Sequence, residues 1–458
     1  MAHQRTPTGE THEVGITDVF FSATDRRGVL EHANELFVRF SRYDRSALLG
    51  APHSLVRHPD VPGAVFHTMW RELRAGRPFA GHLTNLAADG SAYSVYATVT
   101  PLRGGGYLSV RIRPMNESRL AQTRSWYRDL TAYESGLRAA GVSKRDAAAQ
   151  GAERFERIVT DTGYASLTAF QHHALPQEID RYERRADPVP ARPGARGEVA
   201  DLLRIVVEID GALSAWSLRQ RRLAVLSESL QRAGDHLQRE LDAAARTVTR
   251  VTELSGRNRD PKFFEPLGVW AQMQSLIRGY IVKLIGDLTR LDTHSAENRF
   301  RIALAKLHTR MMAAFAAELI DAPQRDETQA AAIALLAESL RSALAEMGTN
   351  SIAHRSITST TVGAIAKSAA VIEIPRKLLS EWQQQLADTE LSPELRELAD
   401  DVAASVAALA ESLTELRGIV KLCGEIGDGD DPAELIALIG RMDAVTGQRT
   451  EHAPRRGA

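Results

Sequence analysis

Pro52-His53-Ser54-Leu55-Val56-Arg57-His58-Pro59-Asp60-Val61-Pro62, running on into Phe66-His67-Thr68-Met69-Trp70, is the stretch on which the reading of this 458-residue chain turns. Pro59 and Pro62 each fix φ and restrict the residue before them, so Arg57, His58 and Asp60 must sit on a loop. From residue 63 to 74, Val65, Met69 and Leu73 recur four apart with Phe66 and Trp70 beside them, the apolar face of an amphipathic helix. A polar loop set against an apolar helix can form one wall of a ligand site. The plainer reading pairs Arg57 with Asp60 and leaves His58 in solvent.

Working outward, residues 20–24 and 29–34 read as short strands joined by the turn Asp25-Arg26-Arg27-Gly28. Residues 35–41 and 46–49 are short helical pieces, the second stopped by Gly50. Three further strands are expected at 78–86, 91–102 and 107–113, with Ala88-Asp89-Gly90 and Gly104-Gly105-Gly106 as the turns between them. Tyr93, Val95, Ala97 and Val99 alternate with Ser94, Tyr96, Thr98 and Thr100. Leu108, Val110 and Ile112 alternate with Tyr107, Ser109 and Arg111. Period two over that length means a sheet whose two faces are used differently.

Two strands, several short helices and three antiparallel strands is the order of a PAS domain, an α+β fold with a five-stranded antiparallel sheet. The segment resembles the sensor domain of bacterial aerotaxis receptors. The resemblance is carried by His32-Ala33-Asn34, Gly50-Ala51-Pro52-His53, Arg57-His58-Pro59-Asp60-Val61-Pro62, Met69-Trp70 and Gly76-Arg77-Pro78-Phe79-Ala80-Gly81, over roughly residues 15–114. That family binds FAD noncovalently, so the resemblance implies a cofactor site formed by Asn34, His53, Arg57, His58, Asp60, Trp70 and Asn85. The residue types suit the chemistry: Arg and His make charge-assisted hydrogen bonds, and a carboxamide both donates and accepts. Asn at a strand end is also a common helix cap, and a Trp on an apolar helix face is more often core than a cofactor contact. The chain departs from its relatives after Asn85. Leu86-Ala87-Ala88-Asp89-Gly90 stands where they carry a basic run, and Tyr93-Ser94 where they carry Tyr-Trp. Photochemistry through a cysteinyl adduct is excluded, because the one cysteine, Cys423, lies far outside the segment. Haem is the alternative cofactor, with His53, His58, His67 or His82 as axial ligand.

With 57 basic against 58 acidic residues, no global field invites nucleic acid or an anionic membrane. A single cysteine rules out a disulfide framework and suits a reducing compartment. No signal peptide and no uncharged apolar run near twenty residues is legible, so a cytoplasmic protein without a membrane span is expected.

From Asn116 the composition turns helical. The expected organisation is a disordered N-terminus over 1–14, the PAS domain over 15–114, a helical connector over 115–185 and a Pro/Gly linker over 186–197. An all-α bundle or coiled coil over 198–426 and a short helix with a disordered tail over 427–458 complete it. Shorter helices interrupted at Pro176 are expected between 164 and 184, where the adjacent His172 and His173 point about 100° apart and make a poor metal site. Trp216, Leu223, Leu230, Leu237, Ala244 and Val251 recur every seven residues, which argues either a coiled coil with a second chain, hence a homodimer, or a helix buried in the chain's own bundle. Breaks are expected near residues 291–296, at Gly348-Thr349-Asn350 and at Pro375. No histidine-kinase, cyclase, Walker or catalytic-triad text is present, and the chemoreceptor hairpin tip is missing.

The sequence thus predicts a cytoplasmic redox or oxygen sensor, not an enzyme. Its FAD-binding PAS domain would pass a change to a helical output module that contacts an unidentified signalling protein. A ligand-free scaffold for dimerisation and recruitment, or a haem-based gas sensor, is the alternative.

Overall fold

The computed structural model describes residues 6–256, 261–322, 327–386, 390–427 and 433–446. Five strands, β1 (Phe20–Thr24), β2 (Leu30–Ala33), β3 (Phe79–Leu86), β4 (Ala92–Pro101) and β5 (Tyr107–Ile112), form one antiparallel sheet in the order β2-β1-β5-β4-β3. Between β2 and β3 come α1 (Glu35–Ser41), α2 (Arg45–Leu48), a 3-10 turn (His53–Val56) and α3 (Gly63–Arg74). This is the PAS order and topology expected from the sequence.

The period-two pattern divides the sheet as anticipated. Phe20, Tyr93, Val95, Ala97 and Val99 face inward onto Phe37, Val65, Met69 and Leu73. Phe21, Tyr96, Leu108, Val110 and Ile112 face the other way, into a second apolar cluster. Each fully buried Phe or Leu contributes about 1.5–3 kcal/mol of transfer free energy, so neither face can turn to water. Gly106 makes the β1–β5 pairing possible. Its φ is +86°, and a Cβ there would lie 2.1 Å from the Thr24 carbonyl oxygen.

Residues 6–14, expected to be disordered, lie along the sheet. The Thr8 amide donates to the Gly90 carbonyl (2.9 Å), the His12 amide to Ala92 (2.9 Å) and the Ala92 amide back to Glu10 (2.8 Å). Hydrogen bonds of the main chain supply what the side chains do not advertise. Residues 1–5 of that expectation lie outside the described residues.

The connector consists of α4 (Glu117–Ala139), α5 (Lys144–Thr160) and α6 (Leu167–Glu183). Helix α6 passes unbroken through Pro176. Burial of Leu175, Ile179 and Tyr182 outweighs the one backbone bond that the proline removes. The segment 186–197 carries neither helix nor strand, and Arg192 forks onto Asp321 through Nε (2.9 Å) and Nη2 (2.6 Å).

Beyond it are α7 (Glu198–Ser255), α8 (Pro261–Asp321), α9 (Glu327–Leu386), α10 (Pro393–Gly427) and α11 (Ala433–Thr446). The breaks expected near 291–296, at 348–350 and at Pro375 do not occur: α8 and α9 are continuous through all three. A helical glycine costs only about 1 kcal/mol, which packing along a long helix readily offsets. The chain forms two compact units, so the region 198–426 is not one body.

The first unit comprises Met1–Ser217, Arg299–Gly348 and Asp431–Ala458. In it the outer sheet face packs with Leu175 and Ile179 of α6, Leu203 and Val206 of α7, Phe315 and Leu319 of α8, and residues of α9 and α11. Phe21 and Phe315 meet edge to face with ring centroids 5.1 Å apart. The second unit comprises Leu218–Asn298 and Thr349–Asp430. Leu223, Leu230 and Leu237 pack there against Ile281 and Leu288 of α8, Ile365 of α9 and Leu416 of α10. This part of the heptad stripe, offered above as a dimer seam, is buried within the chain itself. Among the described residues, one helix, Ala331–Leu386, is long and apolar enough by length and composition alone to cross a membrane. The expected tail from His452 onward lies outside the described residues.

Candidate functional site

The inner sheet face and α3 enclose a cavity of about 280 Å³, near the lower end of the range for small-molecule pockets. Strand alternation supplies its polar floor: Thr24 from β1, Asn85 from β3, and Tyr107, Ser109 and Arg111 from β5. Helix α3 supplies the apolar wall with Phe66, Met69, Trp70 and Leu73, and the organising loop contributes His53, Ser54, Val56 and Arg57.

Four of the seven residues named from the resemblance, His53, Arg57, Trp70 and Asn85, line this cavity. Trp70 is half-buried and stands edge-on to Tyr107, with centroids 5.1 Å apart. The Arg57 guanidinium lies 3.9 Å from the Phe66 ring centroid and donates to the Val61 carbonyl (3.0 Å), so it braces the loop rather than pairing with Asp60. Asn85 sits opposite Tyr93 in the β3–β4 pair. Its Nδ2 and the Tyr93 hydroxyl are both buried, and neither makes a hydrogen bond of good geometry.

The other three do not line the cavity. Asn34 is buried at the end of β2, where its Oδ1 accepts from the Phe21 amide (3.1 Å) and the Phe37 amide (3.3 Å). It is the N-cap of α1, the reading its residue type equally allowed. Asn34→Ala is therefore expected to cost about 1–2 kcal/mol in urea unfolding. The His58 ring is buried, and its Nδ1 accepts from the Asp60 amide (3.2 Å). The Asp60 side chain is 84% exposed and points to solvent.

Arg111 and its partners were not singled out from the sequence. Arg111 is 1% exposed, and Nη2 donates to Ser22 Oγ (3.1 Å) and lies against His53 Nε2. Its guanidinium stacks 4.9 Å from the Phe37 centroid, and Nε has no partner. Burial pulls its pKa down to about 10, which leaves it charged at neutral pH. Burial, with Arg111 second, lowers the His53 pKa to about 3, so the imidazole is neutral and its Nε2 accepts. The alternation of Tyr107, Ser109 and Arg111 carried the signal: a charge in mid-strand on one face, which reads as solvent-facing until the helices cover it.

The cavity wall is tied to the connector. Helix α3 begins immediately after Pro62, and its first amides, Gly63 and Ala64, donate to the Glu134 carboxylate of α4 (2.8 and 2.7 Å). A Cβ on Gly63 would lie 2.8 Å from the Ala148 Cβ, so glycine lets α3 approach α5 closely. On the opposite sheet face, Glu178 of α6 is fully buried. Its Oε1 faces His82 Nε2 of β3 (3.0 Å), and its Oε2 accepts from the Met115 (2.7 Å) and Asn116 (3.1 Å) amides where β5 leads into α4. Tyr127 of α4 donates to the His82 carbonyl (2.9 Å).

Among the described residues no group of three His, Cys, Asp or Glu is placed to hold a metal ion. His172 packs on Phe300 and His173 on Tyr164.

No family model matches the chain. The aerotaxis receptor of Escherichia coli (strain K12) is 39% identical over 121 residues, which is 26% of this chain and 24% of the receptor. The nitrogen fixation regulatory protein of Klebsiella pneumoniae is 33% identical over 84 residues, 18% of this chain and 17% of that protein. The chain thus spans about a quarter or less of the length of these curated relatives. Among solved structures, the PAS domain of a protein from Colwellia psychrerythraea aligns at 19% identity with a TM-score of 0.19, covering 21% of this chain and 85% of that domain. A cysteine-to-valine variant of the fungal photoreceptor VVD aligns at 16% identity with a TM-score of 0.19, covering 24% and 85%. With the strand order and the receptor match together, the N-terminal α+β part of this chain is a PAS domain similar to the aerotaxis receptor, followed by a large helical region.

Proposed function

We propose that the PAS domain binds a flavin, FAD by analogy with the receptor family it resembles, and that the chain is a cytoplasmic redox sensor whose helical units act by protein contact. One observation carries the reading: a cavity with an apolar wall, whose polar floor holds a deeply buried guanidinium that pairs with no carboxylate among the described residues, beside the buried Asn85 carboxamide. A flat heteroaromatic ring with carbonyl and ring-nitrogen acceptors on one edge satisfies that donor set. Arg111 and Asn85 would hold that edge, Trp70 and Met69 the face, and Arg27, whose side chain is 83% exposed, the solvent end. The flavin supplies reversible electron uptake; the protein supplies orientation, exclusion of water and fixed charge.

Haem fits less well. Of the four histidines named as axial-ligand candidates, only His53 lines the cavity, and the Arg111 guanidinium occupies the Nε2 lone pair that a metal would need. His82 is committed to Glu178 on the other face, and His67 is exposed on α3.

Transmission follows from the same geometry. Asn85 and His82 lie on opposite faces of β3, and Glu178 joins His82 to the start of α4. A shift of β3 that follows the cavity's charge is felt at Met115 and Asn116. Coupling of about 1–3 kcal/mol is enough for a signal.

Replacing Asn85 with Leu removes the carboxamide at similar volume. FAD titration of the cofactor-stripped protein is expected to show at least tenfold weaker binding for Asn85→Leu than for the parent, about 1.4 kcal/mol. Equal affinity would remove Asn85 from the site.

A further inference from the structure

We propose that Arg111 is a ligand-recognition residue of the cavity, oriented by His53, and that it binds the reduced flavin ring more tightly than the oxidised one. The inference rests on the flavin reading and deepens it, because it names the group that sets how readily the bound ring accepts electrons.

The argument begins with how this chain buries a cation for structure alone. Lys306 of α8 is 2% exposed, and Glu183 of α6 meets its ammonium with both carboxylate oxygens (2.5 and 2.7 Å). Arg111 is buried as deeply, yet among the described residues no carboxylate pairs with it. Its partners are a hydroxyl, a carbonyl at 3.4 Å, a neutral imidazole and an aromatic face. A buried guanidinium without a counter-charge destabilises the empty fold. Arg111 lines the cavity, and its Nε is buried with no hydrogen-bond partner.

His53 is the positioning residue. With its Nε2 unprotonated it accepts from Arg111, and its ring stacks on Phe37 at 6.3 Å, on the aromatic ring that also carries the guanidinium. Reduction of the ring by dithionite adds two electrons together with one or two protons from solvent; Arg111 gives up and takes up none. A fixed positive charge interacts more favourably with the ring carrying more electron density, and for a guanidinium as deeply buried as Arg111 that difference is weakly screened. Differential affinity of this kind raises the reduction potential of the bound cofactor.

The test uses the full chain reconstituted with FAD. Midpoint potential, dissociation constant for oxidised FAD, and melting temperature of the cofactor-free protein are measured for the parent, R111Q, R111K and R111M. R111Q is expected to weaken binding of reduced flavin at least tenfold more than that of oxidised flavin, which lowers the two-electron potential by about 30 mV or more. R111K, which keeps the charge, should recover part of that shift, and cofactor-free R111M should melt no lower than the parent. An unchanged potential in R111Q would overturn the proposal, as would variants that all fail to fold, since Arg111 would then be structural. A parent protein that takes up no flavin would overturn the flavin reading as well, and it would show before any variant is made.

Discussion

Glu178→Ala is expected to destabilise the first unit by about 3–5 kcal/mol, the range for removing one member of a buried charged hydrogen-bond set. Three donors lose their acceptor together: His82 Nε2 and the Met115 and Asn116 amides, all buried. Each buried donor left without a partner costs about 1–3 kcal/mol. Glu178→Gln keeps one acceptor oxygen and is expected to cost less, about 1–2 kcal/mol. For a unit of this size the alanine variant should melt roughly 10 °C lower. Urea unfolding followed by far-UV circular dichroism measures both. A Glu178→Ala protein within 1 kcal/mol of the parent would mean that this carboxylate adds little to the other contacts that hold the sheet to the connector.

Acid should weaken the fold from pH 6.5 downward, before carboxylates titrate. Burial, with Arg111 adding to it, holds His53 at a pKa of about 3, and burial holds His308 of α8 at about 4. Both lie below the ordinary value of 6.5, so the unfolded chain takes up these protons first. Their contribution is fully present above pH 6.5 and is lost as pH falls through the folded-state values. At pH 4 the loss amounts to about 3 kcal/mol for each histidine, because a tenfold difference in proton affinity between the folded and unfolded chain is worth about 1.4 kcal/mol. His53→Gln should flatten the slope of stability against pH between 6 and 4. A slope unaltered in that variant would mean that water reaches His53 in the folded protein.

Much of the PAS domain was legible because its constraints are local. Prolines at 59 and 62 force a loop, glycines mark the turns, and period two in 93–99 and 107–112 assigns sheet faces that the structure reproduces. The cavity was legible only in part. His53, Arg57, Trp70 and Asn85 belong to it, but Asn34 serves the backbone, His58 serves its own loop, and Asp60 faces water. Residue type does not separate a ligand contact from a cap. Arg111 stayed hidden because a mid-strand charge reads as solvent-facing until α3 and the organising loop are seen to cover that face. The helical region was read correctly as helical and, at four positions, wrongly as interrupted. Pro176 and Pro375 and the glycine at 348 look like stops in sequence, and packing along helices of 17 to 61 residues overrides them. Division into two units, with α7, α8 and α9 contributing to both, leaves no mark on composition.

The most direct test of the account is the absorption spectrum of the purified full chain between 300 and 700 nm, with the released cofactor identified by chromatography. The account predicts two flavin bands that bleach on reduction with dithionite, and release of FAD. A colourless protein that takes up neither FAD nor FMN on reconstitution, or a Soret band in place of the flavin bands, would contradict it.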